Sequence, residues 1–290
     1  MSAGATAQDT GRVVEIAAVP STSITPPHVV VWLPPGYDAS KRRYPVAYMH
    51  DGQNLFFPER SNYNKVWAAD RSALRLIAAK RVPPFIIVGI DHPGEARFRQ
   101  YFPQALAESA SPALRAILTR DAKGPFTGDA YLHFLATELK PMIDRQYRTR
   151  RGPESTAIIG SSMGGLISCY AFVRMPQVFG RAGCVSTHWP LTAPDVTAPH
   201  KAEIVRLWSD AFRRGLGRAG ARRLWMDHGD QTLDAYYPPY QAEITRAVAA
   251  TGWRQGRDFV ARAYPGTPHE ENAWAARMDD IFAFLWSGTP

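Results

Sequence analysis

The sequence predicts an α/β protein with a mostly parallel central sheet, an antiparallel N-terminal start and helices on both faces. Strand-like apolar segments alternate with helix-like amphipathic segments from residue 44 onward, the pattern of a parallel sheet between helical layers. Residues 12–19 and 28–33 are both strand-like and closely spaced, which indicates an opening antiparallel hairpin. Residues 84–90 (PFIIVGI) form one apolar run, typical of a strand buried on both faces.

The elements follow in order. The predicted strands are 12–19, 28–33, 44–50, 84–90, 156–160, 180–186, 222–228 and 258–264. The predicted helices are 66–80, 129–147, 201–214, 240–251 and 274–286, from apolar residues at helical spacing. Residues 91–128 are more polar and aromatic, with a helical patch at 113–119, and are predicted to be an insertion near the strand ends. We expect one α/β domain over residues 12–290, since no repeat or linker divides it.

Composition excludes some classes of partner. The 290 residues are 45% hydrophobic and 21% charged, as in a globular protein with a large core. The net charge of +8 comes from scattered basic residues. No basic face with interleaved aromatics appears, so we expect no nucleic-acid partner. No apolar run approaches the roughly 18 residues that a membrane span needs.

The N-terminus and the cysteines yield two further expectations. Residues 1–11 are predicted to be a disordered or processed tail. Ala5-Thr6-Ala7 resembles the end of a signal-peptidase site, but the apolar region that should precede it is missing. The compartment is therefore open: periplasmic or secreted if the tail is a trimmed signal peptide, cytoplasmic otherwise. Cys169 and Cys184 fall in apolar segments and are predicted to be small core residues without a disulfide.

The centre of the chain carries a candidate nucleophile. Residues 156–160 form an apolar strand, Gly160-Ser161-Ser162-Met163-Gly164 follows, and a helical segment comes next. This context resembles the nucleophile elbow of the α/β-hydrolases, in which a sharp turn presents the serine hydroxyl. Glycine at positions 160 and 164 suits that turn, because a Cβ there would meet the crossing backbone. Ser162 is thus the predicted nucleophile.

A serine nucleophile requires a base and a group that orients the base. In α/β-hydrolases the order along the chain is Ser, then Asp or Glu, then His. The histidines that follow Ser162 are His188, His200, His228 and His269. His269 follows the last predicted strand and a turn, and it precedes the closing helix. It is the predicted base.

The acid should lie in the loop after the strand 222–228. Three aspartates compete there, Asp227, Asp230 and Asp234. Asp227 ends the strand and could bond the loop backbone instead. Asp230 lies at the turn, next to a glycine. Asp234 lies where the chain returns toward His269, so it is the preferred acid and Asp230 the alternative.

Acyl transfer also needs two N–H donors for the oxyanion. One comes from the residue after the nucleophile, here Met163, and the second from the loop after the third strand. That loop is residues 50–54, where Gly52 permits an unusual backbone conformation and Gln53 is the predicted donor. His50 and Asp51 lack a recognisable metal-ligand spacing, so we expect neither a metal nor a cofactor.

Four motifs make the resemblance more specific. They are Tyr48–Phe56 (YMHDGQNLF), Glu138–Asp144 (ELKPMID), Gly160–Gly165 (GSSMGG) and His269–Trp274 (HEENAW). They resemble, in the expected order, the putative-esterase family of α/β-hydrolases, a group that contains enterochelin-esterase-like proteins, feruloyl and acetylxylan esterases, S-formylglutathione hydrolases and mycolyltransferases. The resemblance covers about residues 28–286. It implies a serine carboxylesterase with Ser162 as nucleophile and His269 as base.

One departure concerns the acid. Several family members place it three residues after the glycine of the loop that follows the seventh strand, and Thr232 stands there in this chain. In other family members the acid comes later in this loop, after a leucine, and Leu233-Asp234 resembles that longer spacing.

The expected partner is a small-molecule ester, and the oligomeric state is open. Aromatic residues near the strand ends could stack on a substrate ring, and Trp189 is the preferred candidate because its loop follows the strand after the elbow. Two alternatives stay open: an acyltransferase that uses the same triad, and a non-catalytic binding protein of the same fold.

Overall fold

The computed structural model describes residues 10–288. The predicted tail at residues 1–11 thus lies almost entirely outside the described residues. Within residues 10–288 the strands are Arg12–Ile16 (β1), Val29–Leu33 (β2), Val46–His50 (β3), Ile86–Ile90 (β4), Thr156–Ser161 (β5), Arg181–Val185 (β6), Arg223–His228 (β7) and Phe259–Ala263 (β8). Every predicted strand is present, with ends that differ by a few residues.

The strands form one sheet in the order β1-β2-β4-β3-β5-β6-β7-β8. β1 and β2 pair antiparallel, as predicted for the opening hairpin, and β2 also runs antiparallel to β4. All pairs from β4 to β8 are parallel. The predicted fold class is therefore confirmed. Because the carboxyl ends of parallel strands lie at one edge of the sheet, the loops after β3, β5, β7 and β8 meet there.

Helices connect the parallel strands. The α-helices of the described residues are Ala69–Ala78 (α1), Arg97–Gln100 (α2), Gln104–Glu108 (α3), Pro112–Ala122 (α4), Gly128–His133 (α5), Lys140–Gln146 (α6), Met163–Arg174 (α7), Pro194–Thr197 (α8), Lys201–Gly215 (α9), Pro238–Ala249 (α10), Glu271–Ala275 (α11) and Met278–Leu285 (α12). A π-helical segment, Phe134–Leu139, joins α5 to α6. This continuous stretch matches the helix predicted over 129–147.

Two predicted helices differ from the observed ones in an instructive way. The helix predicted from residue 66 begins at Ala69, because Ala68 has a left-handed backbone with a φ of 49°. The helix predicted over 274–286 is two helices, which begin earlier, at Glu271, and are interrupted before Met278. The region 91–128 contains α2, α3 and α4 rather than a single helical patch.

The core lies on both faces of the sheet. Successive side chains of a strand point to opposite faces, and β3 illustrates this: Val46 and Tyr48 belong to one buried cluster, and Ala47 and Met49 to the other. The first cluster packs against α7, α9 and α10, and the second against α1 and α12. The sheet is therefore covered by helices on both sides.

The cysteines differ from expectation. Cys169 on α7 and Cys184 on β6 are both fully buried, as predicted, but they form a disulfide. Their Cα atoms lie 5.9 Å apart because α7 packs directly on β6. The expectation of two separate core thiols is wrong.

Within residues 10–288, no helix combines the length and the apolar character that crossing a bilayer requires.

Candidate active site

Ser162 occupies a strained turn between β5 and α7. Its φ is 57°, a value that non-glycine residues adopt rarely and at a cost of about 1–3 kcal/mol. A Cβ at Gly160 would lie 2.7 Å from the carbonyl carbon of Gly164, so only glycine fits where the strand and helix cross. The Ser162 N–H donates to the Val185 carbonyl at 3.0 Å. The strand, turn and helix thus follow one another as the sequence predicted.

His269 lies in the loop between β8 and α11 and contacts Asp234. Its Nδ1 is 2.5 Å from Asp234 Oδ1. The His269 backbone N–H donates to Thr232 Oγ1 at 2.9 Å, so the threonine at the alternative acid position supports the histidine loop. Asp230 is directed elsewhere: its Oδ1 accepts from the Gly266 N–H at 2.7 Å. The structure therefore brings Asp234, and not Asp230, to the histidine.

The Asp234 carboxylate is completely buried and has several donors. Its Oδ2 accepts from Ser186 Oγ at 2.6 Å and from the Gly229 N–H at 2.5 Å. Burial favours the neutral acid, but His269, Ser186 and Gly229 outweigh burial and lower the pKa of Asp234 below its ordinary value. Asp234 is thereby kept as a carboxylate, the form that can accept the Nδ1 hydrogen of the histidine.

A buried ion pair lies behind this carboxylate. Arg277 and Asp227 are both buried, and the arginine donates to Asp227 Oδ1 at 2.6 Å. The Ser186 backbone N–H donates to the same oxygen at 3.1 Å. Ser186 Oγ in turn accepts from Trp274 Nε1 at 3.0 Å. Ser186, whose φ of 39° is also left-handed, therefore links the Asp227–Arg277 pair to Asp234.

The loop after β3 lies against the elbow. Asp51 has a φ of 56°, and Gly52–Asn54 form a single 3₁₀ turn. A Cβ on Gly52 would come within 2.7 Å of the Gly89 carbonyl carbon, so glycine is required for this turn to approach β4. In the part of the chain that the structure describes, the Gln53 and Met163 backbone N–H groups donate to no protein acceptor. Both are thus available as the donors that the sequence predicted.

Asp51 anchors this loop through a bidentate ion pair with Arg97. Nε and Nη2 of Arg97 lie 2.7 Å from Oδ1 and Oδ2 of Asp51 respectively. Burial opposes the charge on Arg97, but the Asp51 carboxylate more than offsets it and raises the arginine pKa above its ordinary value. The Asp51 N–H donates to the Tyr101 hydroxyl at 3.3 Å. Arg97 and Tyr101, which belong to the predicted insertion, therefore hold the loop after β3 in place.

His188 and Tyr237 lie on another side of the nucleophile. The His188 backbone N–H donates to the Ser162 carbonyl at 3.2 Å, and its Nδ1 is 2.7 Å from the Tyr237 hydroxyl. The Tyr237 ring is edge-on to the His269 ring, with centroids 5.8 Å apart. Trp274 contacts His269 in the same manner at 5.1 Å. Two aromatic rings therefore restrict the orientation of the imidazole.

Trp189 does not lie where the sequence analysis expected it. Its side chain is 0% exposed, its Nε1 donates to Gln241 Oε1 at 2.9 Å, and its ring packs edge-on against Trp208. A side chain with no exposed surface offers no face to a ligand. The expectation that Trp189 binds substrate is therefore not supported, because helices α9 and α10 cover it.

Sequence reasoning missed Ser186 and Arg277 as parts of the site. Neither residue carried a local signal, since a serine after a strand and an arginine between two C-terminal helices are common. Among residues 10–288, no group of three or more histidine, cysteine, aspartate or glutamate side chains is arranged to hold a metal ion.

A family model described as "Putative esterase" matches residues 22–285. The chain belongs to this family. Membership places the protein among the esterases, enzymes that cleave carboxylic esters. It agrees with the family resemblance that the four sequence motifs indicated.

Two curated relatives are each 28% identical to the chain. One is the uncharacterized protein YbbA of Bacillus subtilis, aligned over 160 residues, which are 55% of this chain and 56% of the relative. The other is an endo-1,4-beta-xylanase/feruloyl esterase of Xylanibacter ruminicola, aligned over 178 residues, 58% of this chain and 21% of the relative. The chain thus spans little more than half of one relative's length and about a fifth of the other's.

Solved structures of low sequence identity share the fold. An IroE-like serine hydrolase from Shewanella oneidensis gives a TM-score of 0.69 at 21% identity and covers 95% of this chain and 80% of that one. A ferulic acid esterase gives a TM-score of 0.67 at 19% identity, and the match covers 95% of this chain and 98% of that one. The enterobactin esterase of Shigella flexneri gives a TM-score of 0.60 at 17% identity, and the match covers 95% of this chain and 59% of that one. The fold is that of the α/β-hydrolases, as expected from the elbow.

Proposed function

We propose that this protein hydrolyses carboxylic esters through an acyl-enzyme on Ser162, with His269 as general base and Asp234 as the acid that orients it. The observation that carries the proposal is the 2.5 Å contact between His269 Nδ1 and Asp234 Oδ1 at the sheet edge where the elbow lies. A carboxylate only accepts, so Nδ1 carries the hydrogen. Nε2 is then left free to take the serine proton.

The steps follow from these roles. Ser162 Oγ attacks the ester carbonyl while His269 Nε2 takes its proton, and the alcohol leaves with that proton. Water then attacks the acyl carbon in the same way, releasing the acid and restoring Ser162. The imidazolium that forms in each half-reaction is stabilised by Asp234, whose pKa is held below its ordinary value in spite of burial.

Negative charge develops on the carbonyl oxygen in both half-reactions. We assign its donors as the backbone N–H groups of Met163 and Gln53, which donate to no acceptor within the described part of the chain. Met163 opens α7, so the positive end of that helix adds to the attraction. The Asp51–Arg97 ion pair holds the loop that carries the second donor. The loss of one such donor typically costs about 10²–10³ in kcat.

The proposed substrate is a small-molecule ester. The proposed reaction uses neither a metal ion nor a cofactor. Among proteins similar to this chain are a feruloyl esterase and an enterobactin esterase. Aromatic acyl esters and siderophore-type esters are thus the first substrates to test, beside acetyl esters and small thioesters. A panel of these compounds would identify the preferred acyl and alcohol groups.

The test is hydrolysis of a short-chain nitrophenyl ester by wild type, Ser162→Ala and Ser161→Ala. We expect Ser162→Ala to lose at least about 10³-fold in kcat, whereas the control, whose serine ends β5 just before the elbow, should retain most activity. A phosphonate probe should label Ser162, as located by peptide mass spectrometry. Equal rates for wild type and Ser162→Ala would refute the proposal.

A further inference from the structure

Two short segments of the chain carry an unusual density of positive charge. Residues 41–43 (KRR) and 145–151 (RQYRTRR) contain seven basic residues in ten positions and no acidic one. The net charge of the whole chain is +8, so the remainder of the chain is close to neutral. We call these seven residues the basic surface: Lys41, Arg42, Arg43, Arg145, Arg148, Arg150 and Arg151.

The fold brings the two segments together. They precede β3 and β5, which are parallel neighbours in the sheet. The Tyr44 N–H donates to the Arg148 carbonyl, and the Arg150 N–H donates to the Tyr44 carbonyl, both at 2.8 Å. Chain segments paired in this way lie about 4.8 Å apart, well inside the screening length of about 10 Å at 0.1 M salt. The charges of the two segments therefore act together on a charged partner.

Hydrogen bonds between neighbouring loops hold the basic surface in place and leave its charge intact. Arg43 Nη1 donates to the Thr149 carbonyl at 3.3 Å, and Arg150 Nε donates to the Arg43 carbonyl at 3.2 Å. Arg151 Nη2 donates to the Asp144 carbonyl at 3.2 Å. These acceptors are uncharged backbone oxygens, so they do not neutralise the guanidinium groups.

The carboxylates next to the two segments do not cancel this charge. Asp144 accepts from Lys140 at 2.7 Å, and Asp38 accepts from Arg12 at 3.0 Å. Glu154 is exposed and supplies one negative charge against seven positive ones. Within residues 10–288, no carboxylate comes within ion-pair distance of the exposed members of the basic surface, which are Lys41, Arg42, Arg43, Arg145 and Arg151.

The basic surface lies at the edge of the sheet opposite the candidate active site. Its two segments precede β3 and β5, whereas Ser162 follows β5. The six residues of β5 span roughly 20 Å. A partner that contacts the basic surface would therefore leave the site around Ser162 open to solution.

The side chains of the basic surface indicate the chemistry of its partner. Guanidinium groups bind phosphate well, because their planar fork donates two parallel hydrogen bonds. Tyr44 is buried and Tyr147 is half-buried, so neither displays the open ring on which a nucleic-acid base stacks. A cluster of four to eight basic side chains suits a layer of anionic lipid headgroups.

We propose that the basic surface is a docking surface for an anionic phospholipid membrane, on which the enzyme lies with its active site directed away from the lipid. This inference goes beyond the proposed function and does not depend on it. Attraction of this kind is electrostatic, so it requires no membrane-spanning helix and is weakened by salt.

The test is co-sedimentation of the full chain with vesicles of equimolar phosphatidylglycerol and phosphatidylcholine, or of phosphatidylcholine alone. We expect binding only to the anionic vesicles at about 0.1 M salt, and release at about 0.5 M. A basic residue near an anionic surface raises the partition coefficient about fivefold. The variant Arg42→Gln/Arg43→Gln/Arg145→Gln/Arg151→Gln should therefore bind at least about 50-fold more weakly. Lysine at the same four positions keeps the charge and should keep binding within about fivefold of wild type.

A matched variant removes four charges elsewhere. It changes exposed arginines on or beside α9 and α10 and should bind within about threefold of wild type: Arg213→Gln/Arg214→Gln/Arg218→Gln/Arg246→Gln. Equal losses in the two glutamine variants, or equal binding to both kinds of vesicle, would overturn the inference. Binding of a DNA duplex without binding of vesicles would also overturn it.

The orientation of the bound enzyme has its own measurement. Wild type on anionic vesicles should hydrolyse a soluble nitrophenyl ester within about twofold of the rate in solution, because the two sites lie at opposite edges of the sheet. Loss of activity on binding would contradict docking by the basic surface. A chain that binds anionic vesicles and hydrolyses no ester would refute the proposed function alone.

Discussion

Ser186 Oγ lies 2.6 Å from Asp234 Oδ2, and the same serine donates its backbone N–H to Asp227 Oδ1 at 3.1 Å. One buried residue thus contacts two buried aspartates of different roles. Asp227 is neutralised by Arg277, whereas Asp234 faces the histidine. Ser186 therefore couples the position of the proposed acid to the Asp227–Arg277 ion pair, which joins the C-terminal helices to the sheet.

Removal of this hydroxyl should impair turnover. Ser186→Ala deprives Asp234 of one of its donors, and a hydrogen bond to a charged group is worth about 1.5–3 kcal/mol. We expect kcat to fall by about 10- to 100-fold with KM within about twofold of wild type, measured with a nitrophenyl ester. Ser209→Ala on α9, whose hydroxyl bonds only the Val205 carbonyl, is the control. An unchanged kcat in Ser186→Ala would show that Asp234 needs no such support.

The two candidate acids are separated by a matched pair of variants. Asp234→Asn should lower kcat by about 10³–10⁴-fold, because the amide cannot hold His269 in the required tautomer. Asp230→Asn should stay within about threefold of wild type, since its carboxylate bonds the Gly266 N–H and not the histidine. Both are measured with the same ester. A larger loss in Asp230→Asn than in Asp234→Asn would reverse the assignment.

Much of the fold was predictable because its signals are local. Apolar strands, amphipathic helices and the glycines at 160 and 164 are visible within short windows of sequence, and the structure has each predicted strand. The meeting of the loops of Ser162, Asp234 and His269 follows from parallel strand ends. Chain order narrowed the eight histidines to the four that follow Ser162, and the position after the last strand selected His269 among them.

What the sequence could not predict depends on packing between distant segments. Trp189 was expected near the substrate, but Gln241 and Trp208 from two later helices enclose it. Arg277 pairs with Asp227 across 50 residues of sequence, and the cysteines meet only because α7 lies on β6. Such contacts leave no periodic pattern in the chain.

The Asp51–Arg97 ion pair, which holds the loop after β3, allows a prediction about stability. Asp51 is buried but the Arg97 side chain is 26% exposed, so removing one partner should cost less than the roughly 3–5 kcal/mol that is typical of a fully buried pair. Arg97→Gln and Asp51→Asn should each lower the free energy of unfolding, and the double variant should lose less than the sum, with a coupling of about 1–3 kcal/mol. Urea denaturation measures the free energy of unfolding of the two single variants and the double variant. Arg99→Gln, from the same helix α2 but bonded only to the Lys123 carbonyl at 3.5 Å, is the control. Additive losses would mean that Asp51 and Arg97 act independently.

A buried histidine beside this loop predicts how stability depends on pH. His50 is 1% exposed, its Nδ1 lies 2.8 Å from the Tyr131 hydroxyl, and its Nε2 contacts no partner within the described residues. Burial is the main cause that lowers its pKa to about 3, with Arg97 adding to it and Asp51 opposing it. In the unfolded chain a histidine titrates near pH 6.5.

The sign of this pH dependence follows from the number of protons that the folded and unfolded states bind. Below pH 6.5 the unfolded state binds a proton that folded His50 does not, so the stability that neutral His50 allows is complete above pH 6.5 and is lost progressively as the pH falls toward 3. Between pH 6.5 and 4.5 this one group should lower the free energy of unfolding by about 2 kcal/mol. His188 acts in the same direction down to about pH 4, and several partly or fully buried carboxyls with raised pKa values, among them Glu271 and Asp227, act against it.

A difference between variants isolates the contribution of His50. Urea denaturation of wild type and His50→Gln at pH 7, 6.5, 5.5 and 4.5 should show a shallower loss in the variant, by about 2 kcal/mol over the acid range. Any constant cost of the substitution itself cancels in this comparison of slopes. His133→Gln, a change at an exposed histidine, should leave the slope of wild type unaltered. Parallel curves for wild type and His50→Gln would mean that His50 can be protonated inside the folded protein, by a movement of the loop that Asp51 and Arg97 hold.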